Sequence, residues 1–224
     1  YGGPEVSPPL THVLPSGIVG SEDFDLYPYD PDKAKQMLAD AGYPNGFTLK
    51  YLYTPSSEGV RKTFETLQQD LSKVGVKLEG VASPDADLYT KYLQVPSVAR
   101  DGVWDMSSSG WGPDWYGNAA LSFFNPLFSG PPSFPPIGSN FGLYDSATTN
   151  GLIDQASTAP SEDEAAALWA KADRQVMEDA AFYPITDPLQ ALYHAEQVNN
   201  AVYISAIQGF DATNVWLSEG MQGG

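Results

Sequence analysis

The chain has 224 residues, 42% of them hydrophobic, and its 28 acidic and 11 basic residues give a formal net charge of −17. This hydrophobic fraction predicts a folded globule rather than a disordered chain. The negative charge argues against nucleic acids and anionic membrane surfaces as partners, because their phosphate groups would be repelled.

No stretch approaches the ~18 consecutive apolar residues of a membrane-spanning helix, so no transmembrane segment is predicted. The chain starts at Tyr1 rather than Met and has no cysteine. We therefore expect a piece of a longer polypeptide, and the lack of cysteine leaves the compartment undecided.

The first predicted elements are an extended segment, a helix and a strand. Residues 1–29 carry five prolines and no helical periodicity, which predicts chain lying along the surface. Asp30 can cap the next helix, Pro31 suits its first position and Gly42 ends it. Alternating apolar residues over 47–53 then predict a strand.

A second helix and strand follow in the same order. Apolar residues spaced three and four apart predict a helix from Ser57 to Gly75. A strand is predicted from Val76. Because helices and strands alternate, we predict an α/β fold with a mixed sheet covered by helices.

The rest of the chain is less regular. The remaining predicted elements are a helix over 83–93, a short strand over 103–109, a Pro- and Gly-rich loop over 130–142, helices over 146–157 and 161–182, and β-like runs over 183–194, 202–207 and 215–217. The loop is expected to be anchored by Phe134, Ile137 and Phe141. Ser161 and Glu164 form a capping box at the start of the last helix.

Several chemistries lack the residues they need. With no cysteine and only His12 and His194, we predict no metal site. Asp85 and Asp87 begin like a calcium loop, but the glycine and the distal glutamate are lacking, so they are interpreted as the start of a helix. Neither a Gly-x-Ser-x-Gly elbow nor a phosphate-binding loop occurs. We therefore predict no cofactor and no catalytic residue.

The segment from Gly110 to Asn118 combines aromatic rings, glycines and a proline with one carboxylate, Asp114. A strand that ends in Gly-Trp-Gly-Pro-Asp leaves its sheet abruptly, at the edge where α/β folds bind ligands. A carboxylate walled by Trp111, Trp115 and Tyr116 would attract an ammonium group. The alternative is that Asp114 caps a helix starting near Gly117 while the tryptophans are core, and these residues alone leave both open.

One enzymatic hypothesis competes with binding. A glycoside hydrolase could use Asp105 and Asp114 as its two carboxylates beside Trp111 and Trp115. The simpler interpretation is that Asp105 ends a strand. A carbohydrate-binding module that uses the same rings is a further alternative.

The stretch "YPYDPDKAKQMLADAGYPNGFTLKYLY" resembles the hallmark of the family 5 extracellular solute-binding proteins, the dipeptide and oligopeptide receptors of ABC importers. The resemblance continues through "LQQDLSKVGVKLE", "DGVWDMSSSGWGPDW" and "MEDAAFYPITDPLQALYHAEQVNN". It implies a non-enzymatic, type II periplasmic-binding-protein-like lobe. Such a protein captures a peptide or another small solute between two lobes, of which this chain would be the C-terminal one, and serves a membrane permease.

The resemblance also implies site residues. Trp111 and Asp114 fall on the family's Gly-Trp-x-x-Asp motif, whose acid pairs with the ligand's α-ammonium in peptide-binding members. Arg100 is the candidate for receiving a peptide carboxylate. The predicted ligand-binding residues are Ser109, Trp111, Gly112, Asp114, Trp115 and Arg100.

Domain organisation and location follow from the same resemblance. It predicts a hinge-side segment at 1–29, a ligand-binding lobe at 30–194 and, at 195–224, terminal strands that return to the first lobe. The location would be extracellular or periplasmic, with lipid anchoring only through an N-terminal part outside this chain. The ligand class stays open among peptides, oligosaccharides and metal chelates.

Overall fold

The computed structural model describes residues 3–115, 117–189, 191–204 and 209–219. Its helices are α1 (Pro31–Asp40), α2 (Glu58–Lys73), α3 (Asp85–Asp87), a π-helix (Leu88–Leu93), α4 (Pro96–Arg100), α5 (Leu121–Phe128), a 3-10 turn (Pro131–Ser133), α6 (Ala147–Ser157) and α7 (Glu162–Glu178). Its strands are β1 (Thr48–Tyr53), β2 (Lys77–Ala82), β3 (Met106–Ser107), β4 (Val198–Asn199), β5 (Tyr203–Ile204), β6 (Gly209–Phe210) and β7 (Trp216–Leu217).

Helix starts follow the capping signals of the sequence. The Asp30 carboxylate accepts a hydrogen bond from the Lys33 backbone N at 2.9 Å, and Pro31 is the first residue of α1. The Ser57 hydroxyl likewise caps α2. A side-chain acceptor satisfies one of the free N–H groups of a first turn, so short-range sequence sets these boundaries.

The principal sheet has the parallel order β2-β1-β3. Leu52 in β1 pairs with Val81 on one side and with Ser107 on the other. The antiparallel pairs β4–β7 and β5–β6 lie separately in the C-terminal part. The described residues therefore hold parallel and antiparallel pairing in separate sheets, not in the one mixed sheet that we predicted, because each crossover returns the chain in the same direction.

Both faces of the principal sheet are covered. Tyr51 packs with Phe64 of α2 on one face. Leu52 is fully buried and packs with Leu93 and Trp104 on the other. The predicted alternation describes the first face only, since β1 is buried on both sides, as is usual for the central strand of a parallel sheet.

A second core lies among α5, α6 and α7. Trp169 is fully buried and stacks on Phe124 with ring centroids 5.3 Å apart.

The sequence analysis did not predict α4, and it did not place α5 at its observed start. Ile137 is 90% exposed, so its prediction as a buried anchor of the loop is wrong.

The N-terminal segment is more deeply buried than we predicted. Val13 and Leu14 belong to the helical core. Their backbone N–H groups donate to the Asp173 carboxylate of α7 at 2.8 and 3.1 Å, and His12 Nδ1 lies 2.9 Å from the same carboxylate. The buried Asp173 carboxylate on α7 therefore holds residues 12–14 in the helical core.

Residues 6–10 run antiparallel to residues 185–189. Leu10 N donates to the Ile185 carbonyl, and Asp187 N donates to the Pro8 carbonyl. Only the bridge of Pro9 with Thr186 is regular β-structure here, since proline lacks the donor that a ladder needs. Backbone hydrogen bonds thus join these two segments of the chain.

The other C-terminal predictions have mixed outcomes. The run at 215–217 is confirmed by β7, and residues 203–204 of the run at 202–207 form β5, whereas 205–207 lie outside the described residues. The last helix ends at Glu178 and not near residue 182. Strands β4 and β6 were not predicted.

Gly46 provides a test of backbone packing. A Cβ atom at Gly46 would lie 1.9 Å from the Gly75 carbonyl oxygen, and the Gly46 φ angle is +70°. We expect Gly46→Ala to lower the free energy of unfolding by about 1–2 kcal/mol for the left-handed conformation and about 1–3 kcal/mol more for the clash. Gly42→Ala, with φ +91° and nothing within 4 Å, is the matched control and should show the first cost alone. Equal losses in urea denaturation would contradict this account.

Candidate ligand-binding site

The sheet order locates a candidate crevice. The chain passes from β1 to β2 on one side and then returns to β3 on the other side of β1. Ligands of open parallel sheets bind at the carboxyl edge where the strand order reverses. This rule indicates the space between the loop after β1, residues 54–57, and the loop after β3, residues 108–115.

The loop after β3 is held against the first turns of α5. Trp111 Nε1 donates to the Ser122 carbonyl at 2.7 Å, and Asp114 N donates to Ser122 Oγ at 3.3 Å. Ser122 itself is only 2% exposed. One buried serine therefore fixes both ends of the turn and keeps it out of the sheet.

The two tryptophan rings of this loop face solvent in part. Trp111 is 42% exposed and Trp115 is 44% exposed. The alternative that both are core residues is therefore wrong. Tyr116, which follows them, lies outside the described residues.

Asp114 is exposed and does not cap a helix. Helix α5 begins at Leu121, four residues after Gly117, and has no side-chain cap. Among the described residues, no group donates to the Asp114 carboxylate or forms an ion pair with it. The helix-cap alternative is therefore wrong, and the charge is open to a ligand.

Of the other predicted site residues, Ser109 and Gly112 lie in the same loop, but Arg100 does not. Ser109 is exposed and Gly112 is half-buried. Arg100 ends α4, the last helix before β3, on the side from which the parallel strand starts. Its neighbour Gly102 accepts a hydrogen bond from Lys50 Nζ near the start of β1. Arg100 is therefore at the opposite edge, and its prediction as a ligand contact is corrected.

Asp105 has a structural contact instead of a catalytic one. Its Oδ2 accepts a hydrogen bond from the Lys50 backbone N at 2.7 Å, and its own N donates to the Lys50 carbonyl at 2.9 Å. The side chain thus extends the pairing of β1 with β3. The glycosidase hypothesis loses one of its two carboxylates.

The loops after β1 and β2 form a part of this edge that the sequence analysis did not assign. Ser56 Oγ donates to Asp85 Oδ1 at 2.6 Å and links the two loops. An open cavity of about 320 Å³ lies between them. Its lining residues are Pro55, Ser56, Ala82, Ser83, Pro84 and Asp85. The sequence signal that could have located these two loops is the serine and proline close behind each predicted strand.

One cation reaches the same edge. Arg61 lies in the first turns of α2, and its Nη1 is 3.5 Å from the Pro55 carbonyl. Arg61 makes only a loose contact of 3.9 Å with Glu65, and its side chain is 46% exposed. Its neighbour Lys62 is bound to Glu58 at 2.6 Å, and this contact lowers the pKa of the Glu58 carboxyl. Arg61 is thus better placed than Lys62 to meet an anion.

The described residues contain no group of three or more histidine, aspartate or glutamate side chains able to hold a metal ion. Within the described residues, no helix is long and apolar enough to cross a membrane.

Comparison with known proteins identifies the family. The pattern of the bacterial extracellular solute-binding proteins, family 5 Middle, matches residues 2–134. The chain belongs to this family. The matched part includes α1, the principal sheet, the loop after β3 and helix α5, so the resemblance predicted from the hallmark helix is confirmed.

Curated relatives of this family 5 chain bind different solutes. It is 29% identical over 182 residues to the glutathione-binding protein GsiB of Escherichia coli (strain K12), covering 79% of the chain and 34% of that protein. It is 28% identical over 197 residues to the heme-binding protein A of Haemophilus influenzae, covering 86% of the chain and 33% of the relative. The chain thus spans about a third of the length of these relatives.

Solved structures give the fold. The clavulanic acid biosynthesis oligopeptide binding protein 2 matches with a TM-score of 0.83 and 25% identity, covering 97% of this chain and 40% of that one. The dipeptide binding protein of Pseudoalteromonas sp. SM9913, in complex with Met-Leu, matches with a TM-score of 0.76 and 21% identity, covering 96% and 41%. The predicted fold class, a type II periplasmic-binding-protein lobe, is confirmed.

Proposed function

We propose that this chain is the C-terminal lobe of the substrate-binding component of an ABC importer and that it captures a peptide-like solute without enzymatic chemistry. The observation that carries the proposal is the Asp114 carboxylate, which has no partner among the described residues and lies on the loop after β3, where the Asp114 backbone N donates to Ser122 Oγ. Family membership supports it, as do the names of relatives that bind glutathione, oligopeptides and dipeptides.

Asp114 would receive the α-ammonium group of the peptide. A charge-assisted hydrogen bond to a carboxylate contributes about 1.5–3 kcal/mol. The partly exposed rings of Trp111 and Trp115 add apolar contact and, once water is excluded, cation–π attraction of about 1–2 kcal/mol. Asp114 thereby sets the direction in which the ligand lies.

Arg61 replaces Arg100 as the proposed partner of the peptide carboxylate. The guanidinium approaches the loop after β1, and β1 is the direct neighbour of β3 in the sheet. Because β1 and β3 are direct neighbours, the loops that follow them lie on the same edge of the sheet, and we take the ligand to be a short peptide that spans the two loops. Arginine binds carboxylates in a two-pronged geometry that holds the ligand in one orientation.

Capture would be completed by a second lobe closing over this edge. The site described here faces solvent, and closure would exclude water and strengthen the contacts of Asp114 and Arg61. We propose residues 1–29 as the hinge-side segment, residues 30–194 as the lobe, and residues 195–224 as the part that returns to the first lobe. An ABC permease as partner, and a lipid anchor outside this chain, are parts of the same proposal.

A series of three ligands tests the proposed function. We expect L-alanyl-L-leucine to bind about ten-fold more tightly than its N-acetyl form and a few-fold more tightly than its C-terminal amide, because each change removes one charge contact. NMR titration of the ¹⁵N-labelled chain, which resolves weak binding, measures all three affinities. Equal affinity for the free and the N-acetylated peptide would overturn the proposal.

Arg61→Met tests the contribution of the ligand's carboxylate end to affinity separately from that of its amino end. This variant should abolish the difference between free acid and amide and leave the effect of N-acetylation unchanged. Arg100→Met is the matched control, since both arginines are exposed but only Arg61 lies at the carboxyl edge. A larger loss in the Arg100 variant would restore the original prediction.

A further inference from the structure

The cavity between the loops after β1 and β2 is built by a specific contact. Tyr53 and Ala82 are the last paired residues of these two strands, so both loops start at the same level of the sheet. The hydrogen bond from Ser56 Oγ to Asp85 Oδ1 then joins them across the gap. The depression between them is open, with a volume of about 320 Å³ and five of its six lining residues exposed, so it suits the end of one side chain and not a whole ligand.

The lining of the cavity has one charged group. Pro55, Ala82 and Pro84 give short apolar walls, and Ser83 is 1% exposed beneath them. Asp85 uses one oxygen for Ser56, and within the described part of the chain its other oxygen has no donor. An ionised carboxylate accepts several hydrogen bonds, so the bond from Ser56 orients Asp85 and leaves its other oxygen to accept from a ligand.

The cations around this cavity do not neutralise Asp85. Lys91 is bound to Asp87 at 2.9 Å, and Lys62 is bound to Glu58 at 2.6 Å. Arg61 is directed at the Pro55 carbonyl. Asp85 is the one charged residue of the lining, and Arg61 is the adjacent cation, so that when the ligand carboxylate pairs with Arg61 the charge left at the cavity is that of Asp85.

The order of the strands suits a peptide lying along the edge. The cavity lies between β1 and β2, about one strand spacing of 4.8 Å beyond the β1–β3 crevice. An extended peptide advances about 3.3–3.6 Å per residue. With its α-ammonium group at Asp114 and its carboxylate at Arg61, a dipeptide would place its second side chain at this cavity.

We infer that the cavity is a subsite for a basic side chain of the captured peptide, with Asp85 as the group that recognises it. The inference rests on the proposed function, because the ligand is positioned by Asp114 and Arg61. A lysine or arginine side chain fills the small-walled cavity with its methylene groups and brings its cationic end to Asp85. The substrate class is thus peptides with a basic residue after the first.

Two nearly isosteric dipeptides test the subsite. L-alanyl-L-lysine is expected to bind about ten-fold more tightly than L-alanyl-L-norleucine, which has the same chain length but no charge. NMR titration of the ¹⁵N-labelled chain should show amide shifts at Ser56 and Asp85 with the lysine peptide. Asp85→Asn should bring the lysine peptide to the affinity of the norleucine peptide and leave the latter unchanged, since asparagine keeps an acceptor for Ser56.

Asp87→Asn is the matched control, because Asp87 is on the same one-turn helix but is already bound to Lys91. It should keep the ten-fold preference. If both dipeptides bind equally and binding still depends on Asp114, the subsite is disproved and the proposed function stands. If neither dipeptide binds, the proposed function fails and the subsite fails with it.

Discussion

Replacing Asp114 with asparagine is expected to weaken binding of a dipeptide with a free amino group by about ten- to hundred-fold. The substitution keeps the shape of the side chain and removes its charge, so it deletes a charge-assisted contact worth about 1.5–3 kcal/mol. Binding of the N-acetylated peptide should change little. The free energy of unfolding should stay within about 0.5 kcal/mol, since no described group pairs with the carboxylate.

Asp105→Ala is the matched control for Asp114. It removes the hydrogen bond to the Lys50 backbone N and should cost about 1 kcal/mol of stability without altering peptide affinity. An Asp114→Asn variant that binds the free peptide as well as the parent does would refute the site. Turnover of a chromogenic glycoside that depends on Asp114 would instead show an enzyme.

Replacing Asp173 with alanine is expected to lower the free energy of unfolding by about 3–5 kcal/mol. Asp173 is fully buried and accepts the backbone N–H groups of Val13 and Leu14 while contacting His12 at 2.9 Å. Alanine would leave these buried donors without an acceptor, and each such group costs about 1–3 kcal/mol. Urea denaturation followed by circular dichroism measures the loss.

Two comparisons make the Asp173 result interpretable. Lys171→Ala lies on the same helix at an exposed position and should change stability by less than about 0.5 kcal/mol. Asp173→Asn retains one acceptor oxygen and should fall between the parent and Asp173→Ala. In hydrogen exchange, Asp173→Ala should expose the amides of residues 12–14 first. A loss below about 1 kcal/mol would show that the segment is held mainly by Val13 and Leu14 packing.

The regular elements could be predicted because their signals are local. Asp30 and Ser57 cap helices within three residues of themselves, and the alternation over 47–53 marks β1 without reference to any other segment. The Gly-Trp-Gly-Pro-Asp turn also follows from neighbouring residues. Its exposure did not follow, because Ser122 in α5 holds it and that helix was not placed at its observed start.

The sequence predicts part of the proposed site only in the loop that carries a motif. Asp114 was among the predicted ligand contacts, whereas Arg61 and Asp85 are proposed from the structure alone. Arg100 and Arg61 look alike in sequence, since each lies near a strand. Parallel topology puts one at the starting edge of β3 and the other at the carboxyl edge of β1, and only the folded sheet separates them.

The sequence by itself determined where α1, α2, α6, α7, β1 and β2 begin, the acidic charge and the family, because capping, periodicity and motif spacing involve residues close in the chain. The tertiary structure decided which distant polar groups meet. His12 and Asp173 are 161 positions apart, and Ser56 and Asp85 are 29 apart. Such pairs form only after the cores around Trp169 and Leu52 bring their elements together, because hydrophobic burial places the elements and hydrogen bonds then select partners from what is near.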